Sequence, residues 1–162
     1  MLKKRYLLII ALIISLLFGA YTFLERVNDK KNADEMFLSQ LEEVQGSFAL
    51  DYSNMNGNDR TYNYMKASSN LYSLLNISRL TSYYNTKNSN ELIDSLDKLY
   101  FCISDTKTIN NKWEIISENS KLICEYLHNI CTNPNDKDSC ESLINLIKEI
   151  YSSEAYTKEN KE

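Results

Sequence analysis

Tyr6-Leu-Leu-Ile-Ile-Ala-Leu-Ile-Ile-Ser-Leu-Leu-Phe-Gly-Ala-Tyr-Thr-Phe-Leu24 is a run of nineteen residues without a charge, and Lys3, Lys4 and Arg5 stand directly before it. As a helix the run is about 28 Å long, close to the roughly 30 Å of a bilayer hydrocarbon core. It predicts one membrane-spanning helix and divides the chain. Residues 1–5 form a short cytoplasmic tail and 6–24 the anchor. A juxtamembrane linker covers 25–32, an extracytoplasmic domain 33–152 and a charged, frayed tail 153–162.

A cleaved signal peptide also begins with basic residues, but it needs a shorter apolar core and a small-x-small exit. Cutting after Ala20 would place Phe18 three residues before the cut. Tyr21 and Phe23 suit an aromatic belt at the membrane surface, and basic residues stay cytoplasmic. These features favour a retained anchor with its N-terminus inside. Five inside residues are too few for an output domain. Ala11, Ser15 and Gly19 recur every fourth residue. Such small residues let helices approach closely, so the stripe is a candidate homodimer face within the membrane.

The whole chain carries −4, of which Lys3, Lys4 and Arg5 supply +3, so the rest carries −7. An acidic surface without a basic stripe repels nucleic acid and anionic headgroups. No nucleic-acid partner is expected. With Gly 3 and Pro 1 in 162 residues, a fold rich in tight hairpins is disfavoured. The abundance of Asn, Lys, Ile and Tyr resembles proteins of AT-rich genomes and names no family.

Apolar residues at spacings of three and four predict an all-α domain. Ala33, Phe37, Leu41, Val44 and Phe48 mark the first helix. Asn54-Met-Asn-Gly-Asn58 is a break, after which Asp59 is the expected cap. The second stripe holds Tyr64, Ala67, Leu71, Leu74 and Leu80, and the third Leu92, Leu96, Leu99 and Ile103. The fourth, the most regular, runs Ile109, Trp113, Ile116, Ser120, Ile123, Leu127 and Ile130, with Asn111 and Glu114 as a capping box. Pro134 stops it, and Cys140, Leu143, Ile147 and Ile150 form the fifth. Short turns between stripes of similar length predict an antiparallel up-and-down bundle of about four to five helices.

Outside the cytoplasm disulfides are permitted. The turn around Pro134 predicts a Cys131–Cys140 bridge, while Cys124 and Cys131 stand about 10 Å apart along one helix and cannot bond. Cys102 and Cys124 are expected to be free, or paired only in a less regular fold. Cys124, His128, Cys131 and Cys140 could also be read as a zinc set, but their spacing differs from common zinc modules. No metal and no cofactor are expected. His128 is the single histidine, and no phosphate loop or nucleophile turn surrounds it. The expectation is a protein that is not an enzyme. The sequon Asn76-Ile-Ser78 falls within a helix.

Tyr62, Tyr64, Tyr72, Tyr83, Tyr84 and Tyr100 cluster in the second and third segments. Tyrosine joins a large apolar ring to a polar tip, which suits a partner face. The plainer reading is half-buried bundle positions. The expected role is a single-pass protein presenting a helical interaction or assembly module to another membrane or extracytoplasmic protein. The alternatives are a small-ligand-binding module acting through a partner, and a secreted helical protein.

Overall fold

The computed structural model describes residues 2–85, 89–104 and 116–152, and every regular element among them is helical. The long helices are α1 (Leu2–Phe48), α2 (Gly57–Ser78), α3 (Ser89–Ser104), α4 (Ser120–Thr132) and α5 (Lys137–Ser152). Single 3₁₀ turns occupy Tyr52–Asn54 and Tyr83–Asn85, and Ile116–Glu118 is helical just before α4.

Helix α1 is 47 residues long, or about 70 Å. Its first half is long and apolar enough to cross a membrane and buries none of that apolar surface. Its second half buries Ala33, Phe37, Leu41, Val44 and Phe48. Residues 25–32, expected to be a linker, are helical and fully part of α1. No glycine or proline interrupts them, and Lys31 pairs with Glu35 one turn on at 3.7 Å. Their polarity reflects solvent on all sides, not a break.

The core follows the apolar stripes. Ala67, Leu71 and Leu74 of α2 are buried, as are Leu92, Leu96, Leu99 and Ile103 of α3. Ile116, Ile123, Leu127 and Ile130 continue the fourth stripe, and Cys140, Leu143, Ile147 and Ile150 form the fifth. Leu80 departs from expectation. It is 66% exposed, because α2 ends at Ser78, and Ser78 and Thr81 take the buried places there. Ile109, Trp113 and the Asn111–Glu114 box lie outside the described residues.

Caps also differ from the sequence reading. Asn56, not Asp59, caps α2: its side-chain oxygen accepts from the Asp59 N–H at 2.9 Å, and its amide donates to the Asp59 carboxylate at 2.7 Å. Among the described residues none has a positive φ, so Gly57 serves as an ordinary first helical residue. Asn133 ends α4 in an extended conformation and its side chain accepts from the Asn135 N–H at 3.2 Å, with Pro134 buried between them.

The main packing partners of α1 are α2 and α4. Helix α2 also packs on α3, α3 on α5, and α5 on α4. A purely sequential arrangement would make α4 the neighbour of α3, but that place is taken by α5.

Candidate functional site

The six tyrosines separate into three groups. Tyr64 and Tyr83 pack against the core. Tyr83 lies 5.6 Å from Phe37, centroid to centroid, and burial followed by the Asp34 charge pushes its hydroxyl pKa up. Tyr84 stands at the α2–α3 turn over a cleft of about 280 Å³ with Asn90, Ile93, Asp94 and Asp97. Tyr62 and Tyr72 belong to the outer surface of α2, while Tyr100 of α3 is half-buried and, like Tyr64 and Tyr83, packs against the core. Tyr72 and Tyr100 meet across the two helices at 6.0 Å, and Tyr100 contacts Phe101 at 5.8 Å.

Successive residues on a helix point about 100° apart, so Tyr62 and Tyr64 cannot share a face. Tyr62 is instead followed by Met65 and then Tyr72 on one line of α2. Tyr62 is 68% exposed, Met65 64%, Tyr72 58% and Phe101 57%. Met65 and Phe101 were missing from the sequence reading. Three-and-four spacing from Tyr62 was the signal for Met65, and adjacency to Tyr100 for Phe101.

Polar links fix α2 against α1 beside this face. Glu43 accepts from Asn70 at 3.0 Å and pairs with Lys66 at 3.7 Å. Asp34 holds the far end of the α2–α3 connection through Ser82, taking both its N–H and its hydroxyl at 2.7 Å.

The small-residue stripe Ala11, Ser15 and Gly19 has a defined direction, because α1 does not break. Ser15 and Ala33 are eighteen residues apart, as are Gly19 and Phe37, and eighteen residues make about five full turns. The small residues therefore face the side on which the other helices pack. Two parallel α1 helices touching at Ala11, Ser15 and Gly19 would bring each copy's bundle against the other's α1.

All four cysteines are free thiols. The expected Cys131–Cys140 bridge is not formed. The Cys131 thiol feels the charge of Glu42 of α1, and the Cys140 thiol hydrogen-bonds with Ser95 of α3. Burial, then the Glu42 charge, pushes Cys131 up to about 12. Burial pushes Cys140 up to about 11, against an opposing hydrogen bond with Ser95. Both stay protonated at neutral pH and act as small packing groups. Cys102 is buried and Cys124 half-buried. His128 is exposed, and its Nδ1 lies 3.3 Å from the Gln45 amide nitrogen. Among the described residues no three His, Cys, Asp or Glu side chains converge as a metal site.

A second cleft, of about 370 Å³, lies where α1 ends and α2 and α4 begin, between Asp51, Tyr52, Arg60, Ser117 and Glu118. It is open and mainly polar. Comparison with known protein families, curated proteins and solved structures gives no match.

Proposed function

We propose that the chain is a single-pass membrane protein, N-terminus cytoplasmic, whose bundle stands outside the cytoplasm as a protein-interaction module. One observation carries this reading. The same continuous helix exposes every apolar side chain from Tyr6 to Leu24, then buries a regular stripe from Ala33 to Phe48. Those halves require two different surroundings, and a bilayer meets the needs of the first. Lys3, Lys4 and Arg5 set the orientation.

The bundle is proposed to be antiparallel within each of the pairs α1/α2, α2/α3 and α4/α5. The links Glu43–Lys66 and Asp34–Ser82, whose numbers fall on α1 as they rise through α2 and the turn after it, support this for the first pair. The interaction role rests on the exposed aromatic face of α2 and α3, since charge-poor, Tyr- and Met-rich surfaces typify interface centres. The small-ligand reading has weaker support. Both clefts are open and the larger is mainly polar, whereas ligand sites are mostly apolar and enclosed.

The test begins with membranes washed at alkaline pH. Full-length chain should remain in the pellet, and a soluble product starting near Tyr21 would establish release instead. A variant lacking native cysteines, with one thiol placed between Asn54 and Asn58, should react with an impermeant reagent on intact cells. Reaction only after lysis reverses the topology. Crosslinking in native membranes should then join the bundle to protein, and failure from every exposed face would end the interaction reading.

A further inference from the structure

The outer line of α2 reads Asn58, Tyr62, Met65, Ser69, Tyr72 and Asn76, with spacings of four, three, four, three and four. All six side chains are exposed and none is charged. The line is about 27 Å long. This is the spacing of a coiled-coil seam, yet among the described residues no helix covers it. Elsewhere the domain is rich in charge, and 25% of the chain is Asp, Glu, Lys or Arg.

We infer that this seam is a contact between two copies of the chain standing side by side in one membrane, each α2 packed along the α2 of the other. The inference rests on the reading of the bundle as a membrane-anchored interaction module.

Three features choose a second copy over another protein. First, two copies anchored at one surface stand parallel and at equal height. A two-fold axis along α2 then sets each seam residue against its own counterpart. Asn58 meets Asn58 and Asn76 meets Asn76, pairs that can hydrogen-bond and fix the register. Tyr62, Met65 and Tyr72 meet their counterparts between those polar ends. Second, the domain is acidic overall, so two copies repel wherever carboxylates face one another. An uncharged line is where like meets like without that cost. Third, the flanking positions bring no like charges together. Asp59, Lys66 and Ser73 flank one side, and Thr61, Ser68 and Leu75 the other. Across a parallel pair Thr61 faces Lys66, and Ser68 faces Ser73.

The area sets the strength. Aromatic side chains bury roughly 150–250 Å² each, so the exposed fractions leave on the order of 400–500 Å² per copy. That is about half the roughly 800 Å² per partner of a standard interface. The contact therefore needs the raised effective concentration of two chains held in one membrane. It also excludes contact through the anchor stripe. With neighbouring helices 8–10 Å apart, an α2 pair holds the two α1 axes more than about 20 Å apart.

The test uses the full chain in phospholipid vesicles with a benzophenone amino acid at Met65. Irradiation should give a covalent dimer whose joined peptides both come from α2 or from α2 and α3. Tyr62→Glu with Tyr72→Glu should abolish the dimer, and Ser69→Lys, at a solvated position, should do the same without touching the rings. Gly19→Leu should leave it unchanged. Circular dichroism checks that each variant remains helical. Absence of a dimer, a dimer indifferent to Tyr62→Glu with Tyr72→Glu and to Ser69→Lys, or one lost in Gly19→Leu would overturn the inference. Crosslinks in native membranes only to a different protein would also overturn it, while leaving the interaction-module reading intact.

Discussion

Asp34 of α1 accepts two hydrogen bonds from Ser82, one from the backbone N–H and one from the hydroxyl, each at 2.7 Å. The two residues are forty-eight positions apart. A single carboxylate thus fastens the α2–α3 connection to the helix that carries the apolar segment. Beside it, Phe37 and Tyr83 pack at 5.6 Å. Hydrogen bonds to a charged group contribute about 1.5–3 kcal/mol each, and solvent exposure reduces that. Asp34→Ala should lower stability by about 1–3 kcal/mol, read from the urea midpoint. Hydrogen exchange at the Ser82 amide should quicken in the same variant. An unchanged Ser82 amide would show that the contact does not hold the connection.

The start of α2 gives two opposite effects at adjacent residues. Asn56 satisfies the Asp59 N–H, so Asn56→Ala should cost about 1 kcal/mol. Gly57 has an ordinary backbone conformation, and nothing lies within 4 Å of a Cβ placed there. Gly57→Ala should therefore raise stability by about 0.4–1 kcal/mol through the unfolded chain. Thermal unfolding of both variants decides this. Loss of stability in Gly57→Ala would mean that the glycine is needed for the turn.

The core was legible because burial imposes a period of 3.6. Phe37, Leu41, Leu96, Leu127 and Ile147 were all placed by spacing alone, and all are buried. What spacing does not carry is where a helix goes on through polar residues. Glu25 to Asn32 have no apolar face, yet nothing stops the helix between two strongly helical halves. Spacing also does not carry which neighbours a side chain meets at a turn. Cys131 and Cys140 are close in the chain, but Cys131 feels Glu42 of α1 and Cys140 hydrogen-bonds with Ser95 of α3. The aromatic face was half legible. Tyrosine content points to α2 and α3, while Tyr64, Tyr83 and Tyr100 pack against the core and Met65 and Phe101 lie on the surface.

The buried acids set a response to high pH. Burial pushes the Tyr52 hydroxyl up to about 12, and that hydroxyl donates to the Ser47 carbonyl. Cys131 and Cys140 are raised to about 12 and about 11. In the unfolded chain all three lose their protons at lower pH, near 9 for the thiols and near 10 for the tyrosine. Above those values the folded state binds more protons than the unfolded one. Stability contributed by the buried neutral forms is complete below pH 9 and falls as pH rises from 9 towards 12. Denaturant unfolding should show a plateau from neutral pH to about 9 and then a decline. Replacing Cys131 and Cys140 by Ala should flatten the part between 9 and 11. A decline of equal slope in that variant would assign the alkaline loss to other groups.

The continuity of α1 from the apolar segment into the bundle can be tested directly. Residues 25–32 hydrogen-bond within the helix, yet all their side chains are exposed. As a helix they should show slowed amide exchange in the full chain, whereas a flexible linker would exchange at unprotected rates. Asn28→Pro removes one backbone donor and crowds the preceding turn, at a cost of about 3 kcal/mol to the helix. Because this stretch buries no side chain, that cost falls on the helix and not on the core. Exchange between Glu25 and Asn32 should quicken markedly, while the urea midpoint of the bundle should move little. Since Ser15 and Ala33 share one side only through an unbroken helix, the same variant should also free the bundle to rotate relative to the apolar segment. Fast exchange across residues 25–32 in the unaltered chain would mean that apolar segment and bundle are joined by a hinge, and that the shared direction of Gly19 and Phe37 has no consequence.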